Sequence, residues 1–462
     1  MKNRIKQYLL AASMCVGLTA CSDFFEPIPG VQFGLDETFA SKQRTEEYLN
    51  NVYSYVREVT DAIHPNTYGG IFTEASLDGA NRWNKTYAEW TNGSFNSASA
   101  QASEYFSKYY QAIAKASTFI QNVDKCTEAA ASTRGKWKSE ARALRAYYYF
   151  ELLRLYGPIP LIGEDPIPLD ASLEELIKER NSVDECVNFI ATELQSAIDS
   201  GDLLQRAGKA NLGRMDVATC MALKAKLYLY WASPLFNGNT DQASVKNKDG
   251  KQLFPQTEDN SKWAQARDAY ERFMTFATGQ GYKLTEVYTN GKLDPYASCR
   301  AAGEFFTTTW EAVDELIFVK LRDLYDYTYW VCPKFTDFQD TDVTGGGGYY
   351  TTQETVDLFF TKDGLTIEED PGYDKFEGIP SANNFTSGRY YDPNNPSRLY
   401  FDADKSKVLK QWKDREPRFY VNITYSGSIW LNEGKYNEEM RTDFTNGANG
   451  TCGKSKASGD CP

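Results

Sequence analysis

Between Glu140 and Leu155, apolar side chains return every three or four residues. Ala141, Leu144, Tyr148, Leu152 and Leu155 therefore share one face of a predicted helix. Glu140, Arg142, Glu151 and Arg154 lie on the opposite arc and are expected to face water. Gly157 stands where a left-handed C-cap belongs and Pro158 follows it, so the helix stops there and feeds a short apolar strand or turn, Ile159 to Ile162. The same period returns along the first 282 residues. It predicts helices over Leu35–Ser54, with Thr38 or Ser41 placed to cap, and over Ala102–Val123. Others follow over Val183–Ile198 behind the cap Ser182, over Met215–Ala232 and over Trp263–Ala277. Small residues at Ala218, Ala222 and Ala225, with Leu229, suit a close helix approach. Helix pairs at this interval point to a mainly α chain built as tetratricopeptide-like stacked hairpins over about 35–282.

Elsewhere the period fails. Asp61 to Ser99 is rich in Gly, Asn, Ser and Thr, carries Tyr68, Trp83, Tyr87 and Trp90, and reads as a long ordered loop. Beyond Tyr282 a loop-rich half with short strands is expected, to about residue 440. Glu315–Lys320 and Phe419–Tyr425 read as strands, Gln353–Phe360 as a short helix, Asp363-Gly364 as a turn and 370–397 as irregular. Gly345 to Gly348 is a flexible tip. It lacks the Lys-Ser/Thr of a phosphate loop.

A formal charge of −13 argues against a nucleic-acid partner. The one histidine, His64, leaves no His-based triad or multi-His zinc site. No Cys-x-x-Cys pair occurs, so the cysteines read mostly as buried thiols, with Cys452 and Cys461 able to close a local loop. Residues 1–20 read as a signal peptide: Lys2, Arg4 and Lys6 precede an apolar run from Tyr8 to Thr19. It ends in Leu18-Thr19-Ala20-Cys21, a bacterial lipobox, which makes Cys21 the expected lipidation site and membrane anchor, followed by a linker to residue 34. No Gly-x-Ser-x-Gly, His-Glu-x-x-His or dinucleotide fingerprint is present, and no cofactor or metal is expected. Asp402-x-Asp404 lacks the rest of a calcium loop.

The helix string Arg142-Ala-Leu-Arg-Ala-Tyr-Tyr-Tyr-Phe150, joined to its exit Leu155-Tyr-Gly-Pro-Ile-Pro-Leu-Ile162, resembles the SusD-like (RagB) family of surface glycan-binding lipoproteins. Arg415-Glu416-Pro417-Arg418 resembles that family's Arg-Asp-Pro-Arg motif with Glu in place of Asp, and Ser22-Asp23 and Glu26 resemble acidic export tags. The resemblance implies one SusD-like domain over 35–462, with helical repeats opposite a less regular glycan-binding part. It also implies a non-catalytic role: capture of oligosaccharide or polysaccharide at the outer membrane and delivery to a SusC-like TonB-dependent transporter. Family members usually continue into further helices, whereas this chain stops at Pro462 and reads as truncated.

Sugars offer apolar C–H faces rimmed by hydroxyls, so a site for them needs flat rings beside planar hydrogen-bonding groups. Two segments supply that mixture: Asp78, Asn81, Arg82, Trp83, Trp90 and Asn92, and Tyr325, Tyr327, Tyr329 and Trp330. Two other readings stay open: a helical-repeat scaffold that binds only protein, and a secreted glycoside hydrolase working through paired carboxylates.

Overall fold

The structure is a computed structural model of the 462-residue chain. It describes residues 34–57, 76, 79–81, 93–163, 165, 167, 171–303, 314–320, 349–376, 380–404 and 407–429. The signal peptide, Cys21, His64, the Tyr325–Trp330 rings, the glycine tip and Cys452 and Cys461 lie outside the described residues.

The expected first helix is two: α1 (Leu35–Ala40) and α2 (Lys42–Tyr53), broken where Ser41 adopts an extended backbone. Then follow the short strand β1 (Ala80–Asn81), α3 (Ala100–Asn122), α4 (Ala131–Tyr156), a single turn α5 (Leu173–Leu176), α6 (Val183–Asp199), α7 (Val217–Ala232) and α8 (Ser261–Gly279). Ser182 starts α6 in a capping box: its Oγ accepts from Glu185 N at 3.3 Å, and Glu185 Oε2 accepts from Ser182 N at 2.7 Å. Asp216 does the same work for α7, accepting from Thr219 N at 2.7 Å, and burial pushes its carboxyl pKa up. Each helix packs on the next, α3 on α4, α4 on α6, α6 on α7 and α7 on α8, as in tetratricopeptide-like stacking.

Of the arc of α4 expected to face water, Glu140 and Glu151 are buried instead, and Arg142 and Arg154 are half-buried. Glu140 and Glu151 are each 2% exposed and Arg145 is fully enclosed. The helix is roofed on both sides, by α3 and α6, with α2 and α7 closing the remainder. Charges at that depth persist because they are paired. Arg145 Nε and Nη2 reach Glu193 Oε2 at 2.8 and 2.5 Å, Arg142 Nη1 reaches Glu193 Oε1 at 3.0 Å, and Arg145 Nη1 donates to Ser117 Oγ at 3.1 Å. Glu140 accepts from Tyr53 Oη at 2.9 Å and Arg214 Nη1 at 3.2 Å, although burial still holds its pKa above the usual carboxylate range. Gly157 ends α4 at φ +68°, where a Cβ would meet Phe254 Cζ at 3.0 Å. Ile159 to Ile162 run on without joining a strand. On α7, Leu229 is 40% exposed, although the spacing places it on the packed face.

The second half has its own aromatic cluster. It contains β2 (Tyr288–Thr289), β3 (Lys292–Leu293), α9 (Pro295–Gly303), β4 (Tyr349–Tyr350), α10 (Gln353–Asp357), β5 (Phe385–Thr386), β6 (Arg389–Asp392), β7 (Asn395–Asp402), β8 (Val408–Leu409) and α11 (Pro417–Asn422). Three expectations are corrected here. Glu315–Lys320 forms a turn and irregular chain, because it packs along the helices with no strand beside it: Lys320 Nζ donates to Val56 O at 2.6 Å, and Thr219 Oγ1 to Ile317 O at 3.3 Å. Phe419–Tyr425 opens as helix, because Pro417 at the first helical position presets φ. Within 370–397 lie β5, β6 and the start of β7. β6 and β7 pair antiparallel, Arg389 opposite Asp402, through the tight Asp392-Pro-Asn-Asn395 connection. Tyr400 stacks on Tyr420 with centroids 3.9 Å apart, and Phe401 and Phe419 fill the centre of the cluster. Arg398 clamps α9 to this hairpin, reaching Asp294 at 2.9 Å and Asp392 at 2.6 Å.

Candidate functional site

Of the predicted site residues, Asn81 alone falls among those described. Asp78, Arg82, Trp83, Trp90, Asn92, Tyr325, Tyr327, Tyr329, Trp330 and the lipidation residue Cys21 lie outside them. Asn81 marks a seam. β1 pairs antiparallel with β4, Ala80 opposite Tyr350 and Asn81 opposite Tyr349. Chain belonging to the first predicted segment thus meets Tyr349-Tyr350, which lead into α10. Tyr350 keeps 40% of its surface exposed there.

α10 begins three residues beyond the seam, with Thr352 Oγ1 accepting from Thr355 N at 3.2 Å. Its Gln353 and Asp357 form one wall of a pocket of about 390 Å³. Ile367, Tyr373, Lys375, Phe376 and Pro380 form the second wall, and Leu409, Gln411 and Trp412 the third. The buried guanidinium of Arg415 fixes these segments to one another. Nη2 donates to the carbonyls of Val356 at 2.6 Å and Phe359 at 2.8 Å, and Nη1 to Tyr373 Oη at 2.6 Å. Tyr373 in turn donates to the Gln411 carbonyl. Glu416 holds the neighbouring turn by accepting from Phe360 N at 2.9 Å, and Arg418 is forked onto Glu416 at 2.7 and 2.9 Å. The Arg-Glu-Pro-Arg string is thus the frame beneath the pocket.

Inside, the ring of Trp412 is backed by Phe419 at 5.7 Å and Tyr425 at 5.8 Å. The Gln411 side chain is a floor element at 9% exposure. Among the described residues, neither its amide nor the Trp412 indole N–H has a hydrogen-bond partner. At the rim, Gln353 Nε2 donates to Asp357 Oδ1 at 2.7 Å, and Lys375 Nζ pairs with Glu368 at 3.2 Å. Burial raises the Tyr373 hydroxyl pKa while Arg415 opposes it, so the phenol stays neutral and keeps the proton it donates to Gln411 O. This arrangement can hold a small polar molecule between flat rings, an amide and a carboxylate. Among the described residues, no group of three or more His, Cys, Asp or Glu is placed to hold a metal ion. Asp402 is taken up by Arg389 at 3.2 Å, and Asp404 Oδ1 accepts from Gly388 N at 2.8 Å. No described helix is long and apolar enough to cross a membrane.

Sequence reasoning missed the pocket because its residues, from Gln353 to Trp412, come from three separated stretches that share no period. The available signal was Gln411-Trp412, three residues ahead of the Arg415 motif.

Comparison with known proteins gives two family matches: one described as "Starch-binding associating with outer membrane" over residues 32–229, and one described as "SusD family" over 315–459. A SusD-like protein of Bacteroides ovatus is 27% identical over 175 residues, 36% of this chain and 30% of that relative. The solved structure of BT4246 superposes with a TM-score of 0.68 at 24% identity, over 87% of this chain and 69% of the other. A SusD-like protein from Bacteroides fragilis NCTC 9343 gives 0.62 at 19% identity, over 89% and 67%. Both share the fold.

Proposed function

The chain belongs to the SusD-like family, and on that premise we propose that it captures oligosaccharide at the cell surface without catalysing any reaction on it. Members of the family are carbohydrate-binding proteins associated with the outer membrane. Capture falls to Trp83, Trp90, Tyr325, Tyr327, Tyr329 and Trp330, with Asp78, Asn81, Arg82 and Asn92 as hydrogen-bonding partners. Acyl chains on Cys21 tether the protein to the outer membrane, and a SusC-like TonB-dependent transporter receives the glycan. The observation that carries the reading is the seam at Asn81–Tyr349, which brings chain of the first ring-bearing segment to a point three residues ahead of α10 and its pocket of rings and unpartnered hydrogen-bonding groups.

Calorimetry and affinity electrophoresis against a panel of polysaccharides test it. Trp83→Ala, Trp90→Ala and Trp330→Ala should each lose about 1 kcal/mol of binding, roughly fivefold, with melting unchanged. No binding to any glycan favours a protein-binding scaffold, and release of reducing sugar from the panel favours a hydrolase. Either result overturns the proposal. Palmitate labelling that survives Cys21→Ser removes the anchor assignment, and failure to co-purify a transporter barrel from outer membranes removes the delivery step.

A further inference from the structure

The pocket under α10 carries more information than its location. Its floor is closed by Ile367 and Gln411, both buried, and behind Trp412 the aromatic cluster is packed solid. A polymer cannot thread through such a recess; it can only insert an end or a branch. The volume of about 390 Å³ lies at the small end of the ~300–1,000 Å³ usual for ligand sites.

The polar groups narrow the ligand further. Gln411 offers a donor and an acceptor, the Trp412 indole a donor only, and Asp357 an acceptor only. Hydroxyl groups, which both donate and accept, match all three at once. A purely cationic or purely anionic ligand leaves part of the set unmatched. Asp357 and Glu368 disfavour an anion, and the one lysine among the lining residues already faces Glu368. The Gln411 amide has no hydrogen-bond partner among the described residues and its polar atoms remain open to the pocket, so a ligand hydroxyl can bond it in place of solvent. Phe376, Tyr373 and Trp412 supply the apolar surfaces for the C–H faces of a ring.

Resting on the glycan-capture reading, we propose that this pocket is a subsite for one uncharged sugar unit, a chain end or branch, gripped by the Gln411 amide, the Trp412 indole N–H and the Asp357 carboxylate. Its lining residues are other than those of the ring-bearing segments. It gives the protein a second contact with a branched or short glycan, and so a preference for chains that present such an end.

The test uses the full mature chain and two conservative variants. Gln411→Leu removes the amide at nearly constant volume, and Trp412→Phe keeps a ring against Phe419 and Tyr425 while deleting the N–H. Melting curves and near-UV circular dichroism confirm that both fold. Short neutral gluco-, manno-, xylo- and galacto-oligosaccharides are titrated calorimetrically, with oligogalacturonate as the anionic comparison. For the neutral glycan that wild type binds, each variant should weaken affinity about threefold to tenfold. Wild-type affinity in both folded variants overturns the subsite while leaving glycan capture standing. Tighter binding of oligogalacturonate overturns the uncharged class. If wild type binds no glycan, the capture reading fails and the subsite falls with it. If a variant does not fold, the decision passes to tryptophan fluorescence of the other. Sugar-induced quenching that is identical with and without the Gln411 amide also overturns the proposal.

Discussion

Glu193 and Arg145 allow a stability test whose outcome depends on tertiary burial. The Arg145 side chain is fully enclosed, and Glu193 retains 6% exposure. Replacing Glu193 by Leu takes the carboxylate away from the guanidinium, which keeps the neutral Ser117 Oγ at 3.1 Å among its partners. Breaking a buried pair by removing one member costs about 3–5 kcal/mol. Arg145→Met should cost less, because Glu193 keeps Arg142 at 3.0 Å, and Arg142 is itself partly solvated. The double variant Arg145→Met/Glu193→Leu removes both charges and fills the space with apolar volume. It should return to within about 1 kcal/mol of wild type, giving a coupling energy far outside additive behaviour. Guanidinium unfolding followed by circular dichroism and tryptophan fluorescence measures all four proteins. A loss below about 1 kcal/mol for Glu193→Leu, or a double variant equal to the sum of its singles, would show that the pair is not buried as described.

Two further outcomes follow from single positions. Gly157→Ala places a Cβ at φ +68° against Phe254, so unfolding free energy should fall by about 1–3 kcal/mol, and an unchanged urea midpoint would refute the strained C-cap. Hydrogen bonds from Arg398 hold the Asp294 carboxyl down at about 2, below its ordinary 3.8. Its contribution, about 1–2 kcal/mol once solvent screening is allowed for, is therefore complete above the unfolded pKa and disappears as pH falls through the folded value, so urea midpoints of wild type should drop more steeply than those of Asp294→Asn over that acid window.

The helical half was legible because its information is local. A period of three to four, the Ser182 capping box and the Gly157-Pro158 stop each lie within a few residues, and each stands where the spacing places it. The sign of burial on α4 was not legible. Glu140 and Arg145 have the same local signature as solvated charges, and the arrival of α6 and of Arg214, just ahead of α7, from far along the chain supplies their charged partners. In the second half, Phe419, Val421, Ile423 and Tyr425 alternate well enough to pass for a strand, yet Pro417 and the Arg415 frame settle Phe419 to Asn422 as helix. The pocket is the extreme case. Gln353, Tyr373 and Gln411 mean nothing separately and become a site only when one guanidinium ties their three segments together.

By itself, then, the chain determined its class, its stacked hairpins and the stop of α4 at Gly157, though not the break at Ser41 or the start of α4 at Ala131, since hydrogen bonds and side-chain rows one turn apart settle such local matters. Tertiary packing alone decided which charges lie in the dark, which rings stay exposed and which distant amide shares a recess with a tryptophan. Burial and long-range pairing depend on what comes from elsewhere in the chain, and no window of neighbouring residues contains that.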